Sequence, residues 1–238
     1  MTPFTVAFHH AAPHGALTAV HLADSPDAVP EAVLAALPDE EAELARSLRG
    51  YRQGQFVAGR LALRRACEQL GSRPPPLLST DRGAPAMPPG LSGSVSHKRT
   101  LAIAMVASDR AGTLGCDLED YGPPRLGIAS HILTPVEMEA LAGLADAERW
   151  IGVLLRFSIK ESIYKALDPY VRRYVGFHEA IVTPDHERCA HVELALAGKE
   201  GPFQVDARYD WLAGRLVTSV RIRPIVAGSD PGLYPTRQ

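Results

Sequence analysis

The chain has 238 residues, 46% of them hydrophobic and 22% charged, with a formal net charge of −2. That composition fits one large globular domain or two modest ones, and it supplies no overall field for nucleic acid or an anionic membrane surface. Three cysteines, Cys67, Cys116 and Cys189, are odd in number and far apart. They make neither a disulfide framework nor a zinc motif and read as small core residues, and the lack of a secretory signal or long apolar run implies a cytoplasmic protein.

In chain order, residues 5–8 and 18–22 read as short strands. His9, His10, His14 and His21 lack a helical pair or a cysteine partner, so they are expected on the surface or in turns, not on a metal. Residues 38–46 open a helix with acids near the positive end of its dipole. A stronger helix follows at about 52–70, where Phe56, Gly59, Leu63, Ala66, Cys67 and Leu70 share one arc. Arg60 stands at the edge of that arc. With Arg46, Arg49, Arg52, Arg64 and Arg65 it makes a basic stretch, either a solvated face or an anion site, since a guanidinium grips phosphate bidentately.

A proline-rich connector containing DRGAPAMPPG at 81–90 is extended and turn-rich, and nothing local requires its Arg82 to reach a ligand. Residues 93–98, GSVSHK, lead into a buried strand at 101–106. Adjacent Ser and His on a strand point to opposite sides and no nucleophile elbow is present, so a hydrolase triad is not expected. Ser96, His97 and Lys98 make better sense as donors to an anionic ligand.

Next comes LGCDLE at 114–119. Its alternation puts Leu114, Cys116 and Leu118 on one side and Gly115, Asp117 and Glu119 on the other. Two carboxylates aimed at one place repel each other, a cost that a hard divalent cation would relieve, and Gly115 leaves room beside them. Thr134, Pro135 and Glu137 form a helix start with a capping box. A second strong helix is expected at about 150–167, ended by Pro169. Trp150, Leu154, Phe157, Glu161 and Lys165 lie in one stripe, and Leu155, Ile159, Ile163 and Ala166 form a second apolar face. A helix apolar on two faces is wedged between layers, so Glu161 and Lys165 continue a buried stripe and call for a partner. Lys160, on the flank, could serve a nearby phosphate. Segments 179–183, 191–197, 203–207 and 216–222 read as an antiparallel sheet completing the second half, and 230–238 as a frayed tail.

Three carboxylates, Asp117, Glu119 and Glu161, with Arg52, Arg60, Ser96, His97, Lys160 and Lys165, are a kit for Mg²⁺-assisted chemistry on a phosphoanhydride. In this order the motifs GQFVAGRLALR (54–64), GSVSH (93–97), GCDLE (115–119) and FSIKESIYK (157–165) resemble those of 4′-phosphopantetheinyl transferases of the surfactin- and enterobactin-synthase type. Cys116 and Ile159 stand where that family usually has an aliphatic residue and often alanine. The proline-rich stretch lacks the family's usual tryptophan.

The resemblance implies an α+β fold of two similar, pseudo-symmetric halves, 1–112 and 113–238, with the active site in the cleft between them. It implies coenzyme A as donor and the serine of an acyl or peptidyl carrier protein as acceptor. Asp117, Glu119 and Glu161 would hold Mg²⁺, and Glu161 and Lys165 would be catalytic. Arg52, Arg60, Ser96 and His97 would bind the 3′-phosphoadenosine end, and Lys160 and Lys165 the pyrophosphate. The expected product is 3′,5′-ADP, and two halves in one chain imply a monomer. Two rival readings are a Mg²⁺-dependent nucleotide pyrophosphatase and a non-catalytic module that holds coenzyme A or a carrier domain.

Overall fold

The computed structural model describes residues 2–225, and the expected tail at 230–238 lies outside them. In chain order the elements are β1 (Val6–Ala12), β2 (Gly15–His21), α1 (Glu31–Leu34), α2 (Asp39–Ser47), α3 (Gly50–Gln69), β3 (Leu91–His97), β4 (Leu101–Ser108) and β5 (Thr113–Asp120). Then follow α4 (Ala129–Ile132), α5 (Pro135–Leu141), α6 (Asp146–Val171), β6 (Ala180–Pro184), β7 (Cys189–Leu194), β8 (Phe203–Leu212) and β9 (Arg215–Pro224). Two antiparallel sheets result, in the orders β1-β2-β4-β3 and β5-β9-β8-β7-β6. No helix among the described residues is long and apolar enough to cross a membrane.

The alternation of each strand explains the layers. On β4, Ala102, Ala104 and Val106 pack with α3 residues such as Ala58, Ala62 and Leu63. The intervening Leu101, Ile103, Met105 and Ala107 pack against Leu114, Cys116, Leu118 and Val217 of the other sheet. Hence β4 is apolar on both faces, as its continuous run requires. Helix α6 covers the other face of the second sheet, with Trp150, Ile159, Ile163 and Ala166 in its core. Each half is a sheet under a long helix, and the two sheets meet back to back.

Edge strands β3 and β5 lie beside each other without a backbone ladder. Serines substitute for it: the Leu114 N–H donates to Ser92 Oγ at 2.9 Å and the Cys116 N–H to Ser94 Oγ at 3.0 Å. The period-two spacing of Ser92 and Ser94 thus satisfies part of an edge that would otherwise be unpaired.

The expected capping box forms, Thr134 and Glu137 exchanging hydrogen bonds at the start of α5. Pro169 does not end the long helix. It lies within the last turn, where a missing N–H costs one bond, and α6 runs on to Val171 before Arg172 turns left-handed at φ 48°. His14 meets its expectation in one respect only. It sits in a turn but is buried, with Nδ1 2.9 Å from Ser219 Oγ and Nε2 3.3 Å from Asp206, so it joins the two halves. Cys67 and Cys116 are core residues, whereas Cys189 is partly exposed on strand β7 at the rim of its sheet, where Arg208 donates to its sulfur.

Candidate active site

Gly115 fixes where α6 crosses β5. A Cβ there would stand 1.9 Å from Ser162 O and 2.8 Å from Ala166 N, so the glycine admits helix backbone. The room beside the carboxylates is therefore taken by α6 itself. This close approach sets the next residues on the same strand face, Asp117 and Glu119, beneath the helix that carries Glu161 and Lys165. Asp117 and Glu119 are each only 4% exposed.

Cations and hydroxyls compensate that burial. Lys165 Nζ lies 2.8 Å from Asp117 Oδ1 and also donates to Cys116 O at 2.8 Å. Lys98 Nζ lies 2.6 Å from Glu119 Oε1. Asp117 Oδ1 further accepts from Ser96 Oγ at 2.8 Å, and Oδ2 from Ser158 Oγ at 2.9 Å. Burial pushes the Glu119 carboxyl up to about 6 despite Lys98. It also raises Glu161, against the pull of Lys165. Burial works against the charge of Lys165, but Asp117 and the other anionic neighbours prevail and hold its pKa above the ordinary lysine value.

A cleft of about 1040 Å³ opens beside this group. It is lined from the first half by Arg52, Phe56 and Arg60 of α3, His97 of β3 and the 79–85 loop, and from the second by Tyr164, Lys165 and Asp168 of α6. Arg60 is 5% exposed, lies 4.4 Å over the Phe56 ring and donates to Ser79 Oγ at 3.1 Å. Its Nε has no partner among the described residues, and burial lowers its pKa to about 10. A buried guanidinium with a free donor in a cleft suits an anionic ligand. Burial, then the positive charges of Lys165 and Lys98, lower the pKa of His97. Arg82, for which the sequence offered no local role, donates to Asp168 Oδ1 at 2.6 Å, and Arg172 pairs with Asp81 at 2.8 Å. Two ion pairs thus tie the 79–85 loop to the end of α6.

Of the expected residues, the structure places Arg52, Arg60, His97 and Lys165 on the cleft and Asp117, Glu119 and Glu161 around Lys165 and Lys98. The rest of the basic stretch is used elsewhere: Arg46, Arg64 and Arg65 pair with Glu31, Glu41 and Glu68, and Arg49 donates to the carbonyls of Arg46 and Leu48. Two expectations need correcting. Lys160 is 0% exposed, its ammonium donating to Glu137 Oε2 at 2.6 Å and to Ile132 O and Phe177 O at 2.9 Å each. It ties α6 to α5 and the chain before β6, so it is not available to a phosphate. Five residues from Lys165 at 100° per residue, it points to another side of the helix. Ser96 is buried and directed at Asp117, so it orients a carboxylate instead of lining the ligand cleft. Lys98 turns out to be the partner of Glu119, and Ser158, three residues before Glu161 on α6, is a partner of Asp117 that no motif singled out.

Among the described residues, no three His, Cys, Asp or Glu side chains converge closely enough to form a metal cluster. Asp117, Glu119 and Glu161 gather around Lys165 and Lys98 without closing on one point, and lysine ammoniums stand on two of them. The donor set is all oxygen, however, and Mg²⁺ takes only one or two carboxylates, completing its shell with water and substrate phosphates. Asp117 and Glu119, already holding cations, fit such an ion and not the nitrogen and sulfur preferences of Zn²⁺.

Residues 39–107 match the 4′-phosphopantetheinyl transferase N-terminal domain, and residues 113–218 match the 4′-phosphopantetheinyl transferase superfamily. The chain is 35% identical over 207 residues to 4′-phosphopantetheinyl transferase Svp of Streptomyces mobaraensis, covering 85% of this chain and 81% of that one. It is 34% identical over 152 residues to PptT of Mycobacterium tuberculosis, covering 63% and 66%. With enterobactin synthase component D of Salmonella typhimurium the identity is 34% over 154 residues, covering 63% and 62%. A holo-(acyl-carrier-protein) synthase from Bacillus anthracis, solved in complex with CoA (3′,5′-ADP), aligns at 20% identity and TM-score 0.38 over 47% of this chain and 95% of that one. Matched through both halves, and by one relative along most of its length, this chain belongs to the 4′-phosphopantetheinyl transferase superfamily.

Proposed function

We propose that the chain transfers 4′-phosphopantetheine from coenzyme A to a serine of an acyl or peptidyl carrier protein, releasing 3′,5′-ADP. The observation that carries this is the roughly 1040 Å³ cleft beside α3 and α6. In it Arg52, Arg60, His97 and Lys165 present cationic and hydrogen-bonding groups beside the buried carboxylates of Asp117 and Glu119. A donor with a 3′-phosphate and a pyrophosphate meets complementary charge along its length.

Asp117 and Glu119, with Glu161 on the facing helix, would hold Mg²⁺. When bound, the ion neutralises charge developing on the pyrophosphate. Arg52, Arg60 and His97 bind the 3′-phosphoadenosine end and fix the donor in place. Burial raises the pKa of Glu161, which makes it a stronger base than an ordinary carboxylate. It takes the proton of the carrier serine hydroxyl, directly or through a water. The serine oxygen forms a bond to the β-phosphorus as the bond to the 3′,5′-ADP oxygen breaks. Lys165 stabilises the departing oxygen.

Intact-mass spectrometry of an apo carrier protein incubated with the enzyme, coenzyme A and Mg²⁺ tests this reading. A gain of one phosphopantetheine unit, abolished by EDTA, is expected. Cleavage of coenzyme A without an acceptor would replace the reading by a pyrophosphatase. Bound coenzyme A with no turnover across several carriers would replace it by a binding module.

A further inference from the structure

Asp117 is held by a chain of hydroxyls that reaches through the core of the second half. Ser158 Oγ, which donates to Asp117 Oδ2, lies 3.0 Å from Thr218 Oγ1, and Thr218 Oγ1 lies 2.7 Å from Ser162 Oγ. Thr218 Oγ1 also donates to Ser158 O at 2.9 Å. All three hydroxyl residues are 0% exposed. Thr218 sits directly across from Asp117 in the β5–β9 pairing, and Ser158 and Ser162 are successive turns of α6.

Each hydroxyl has one proton, and an ionised carboxylate only accepts. The Ser158 proton therefore goes to Asp117. The Thr218 proton goes to Ser158, on its carbonyl oxygen with the hydroxyl oxygen adjacent. Ser162 is then left as donor to Thr218. Ser162 and Thr218 thereby brace Ser158 from behind, while the proton of Ser158 itself faces Asp117. A carboxylate's terminal torsion is otherwise broad, so an undirected Asp117 could rotate.

We propose that Ser158, backed by Thr218 and Ser162, is a positioning residue that fixes the rotation of the Asp117 carboxylate for a divalent cation. This rests on the reading of Asp117 as a cation ligand. Ser158 acts through Asp117 and touches neither coenzyme A nor the carrier. Its loss should weaken the cation while leaving the cation-free affinity for coenzyme A intact.

The test uses Mn²⁺ as probe, titrated into enzyme and coenzyme A without any carrier and followed by the electron paramagnetic resonance of the free ion. Ser158→Ala is expected to weaken Mn²⁺ binding about tenfold, as loss of a hydrogen bond to a charged group implies. Thr218→Val should weaken it by a smaller factor, roughly threefold, for loss of the backing bond. Thr218→Ser, which keeps the hydroxyl, should restore it. Coenzyme A binding in EDTA should stay within about twofold of wild type in all three, since no phosphate ligand is removed.

Unchanged Mn²⁺ affinity in folded Ser158→Ala, alongside a large loss in Asp117→Asn, would overturn the hydroxyl chain alone. If Asp117→Asn also left Mn²⁺ binding unchanged, the assignment of Asp117 would fall and the proposal with it. An equal loss of coenzyme A affinity in EDTA would reduce the chain to general packing and overturn its positioning role. Should Ser158→Ala fail to fold, the Thr218→Val and Thr218→Ser pair decides: equal Mn²⁺ affinities overturn the proposal, and loss with rescue supports it.

Discussion

Strands β2 and β5 begin alike. Gly15 and Gly112 both approach a neighbouring carbonyl so closely that a Cβ would stand 2.3 Å from Val106 O or 2.2 Å from Ile222 O. Counting from these glycines, Leu17 matches Leu114 and Ala19 matches Cys116, and all four lie in the core shared by the two sheets. The other faces differ. Where β5 has Gly115, Asp117 and Glu119 under α6, the first half has Thr18, Val20 and Leu22 under α3. Val20 and Leu22 join the α3 core, and Thr18 is tied to Gln69 of that helix at 2.7 Å. One backbone plan thus serves packing in the first half and holds buried charge in the second. The charge is tolerated because Lys98, Lys165, Ser96 and Ser158 are already in place around it.

The largest effect should come from making β5 resemble β2. Asp117→Asn keeps the shape but removes the charge, and the transfer rate is expected to fall on the order of a thousandfold, about 4 kcal/mol of barrier. A folded variant with near-normal kcat/KM would remove Asp117 from the chemistry. The reverse change, Val20→Asp, supplies a carboxylate without its surroundings. It should cost about 3 kcal/mol or more of stability in a urea melt, since no cation awaits it beneath α3. Wild-type stability there would show that the two faces differ less than their neighbours suggest.

Gly115→Ala tests the close helix crossing that β2 lacks. Its methyl group meets helix backbone, so α6 must shift with Glu161 and Lys165, at roughly 2 kcal/mol of stability. A displacement of about 1 Å would lower kcat on the order of a hundredfold. Unchanged melting and turnover would mean that the crossing is looser than the structure has it.

The smallest effect concerns Glu119. Its folded value of about 6 exceeds the ordinary 4.5. Between those values the folded carboxyl keeps a proton that the unfolded one has released, so this group's contribution to stability falls as pH rises. Without divalent cation, Glu119→Gln should gain up to about 2 kcal/mol on wild type between pH 4.5 and 7, while losing activity. A wild-type-minus-variant difference that is flat across this window would show that Lys98 fully compensates the buried charge.

The local chemistry of single elements was legible in the sequence. Alternation put Asp117 and Glu119 on one face, the Thr134–Glu137 capping box marked the start of α5, and the double apolar face of α6 announced a wedged helix. These features depend on period and on neighbours a few residues away, which a sequence contains. Tertiary structure decided which polar side chains were free. Lys160 and Lys165 share one helix, yet Glu137 and two carbonyls enclose the first, while the second reaches Asp117 and the cleft. Ser96 could be seen as a donor, but only the side-by-side placement of β3 and β5 turned it toward Asp117. Gly115 could be seen as room, but only the crossing of α6 showed what fills it. The physical reason is the same in each case. A side chain's direction follows from local backbone geometry, whereas its partner is supplied by elements distant in the chain.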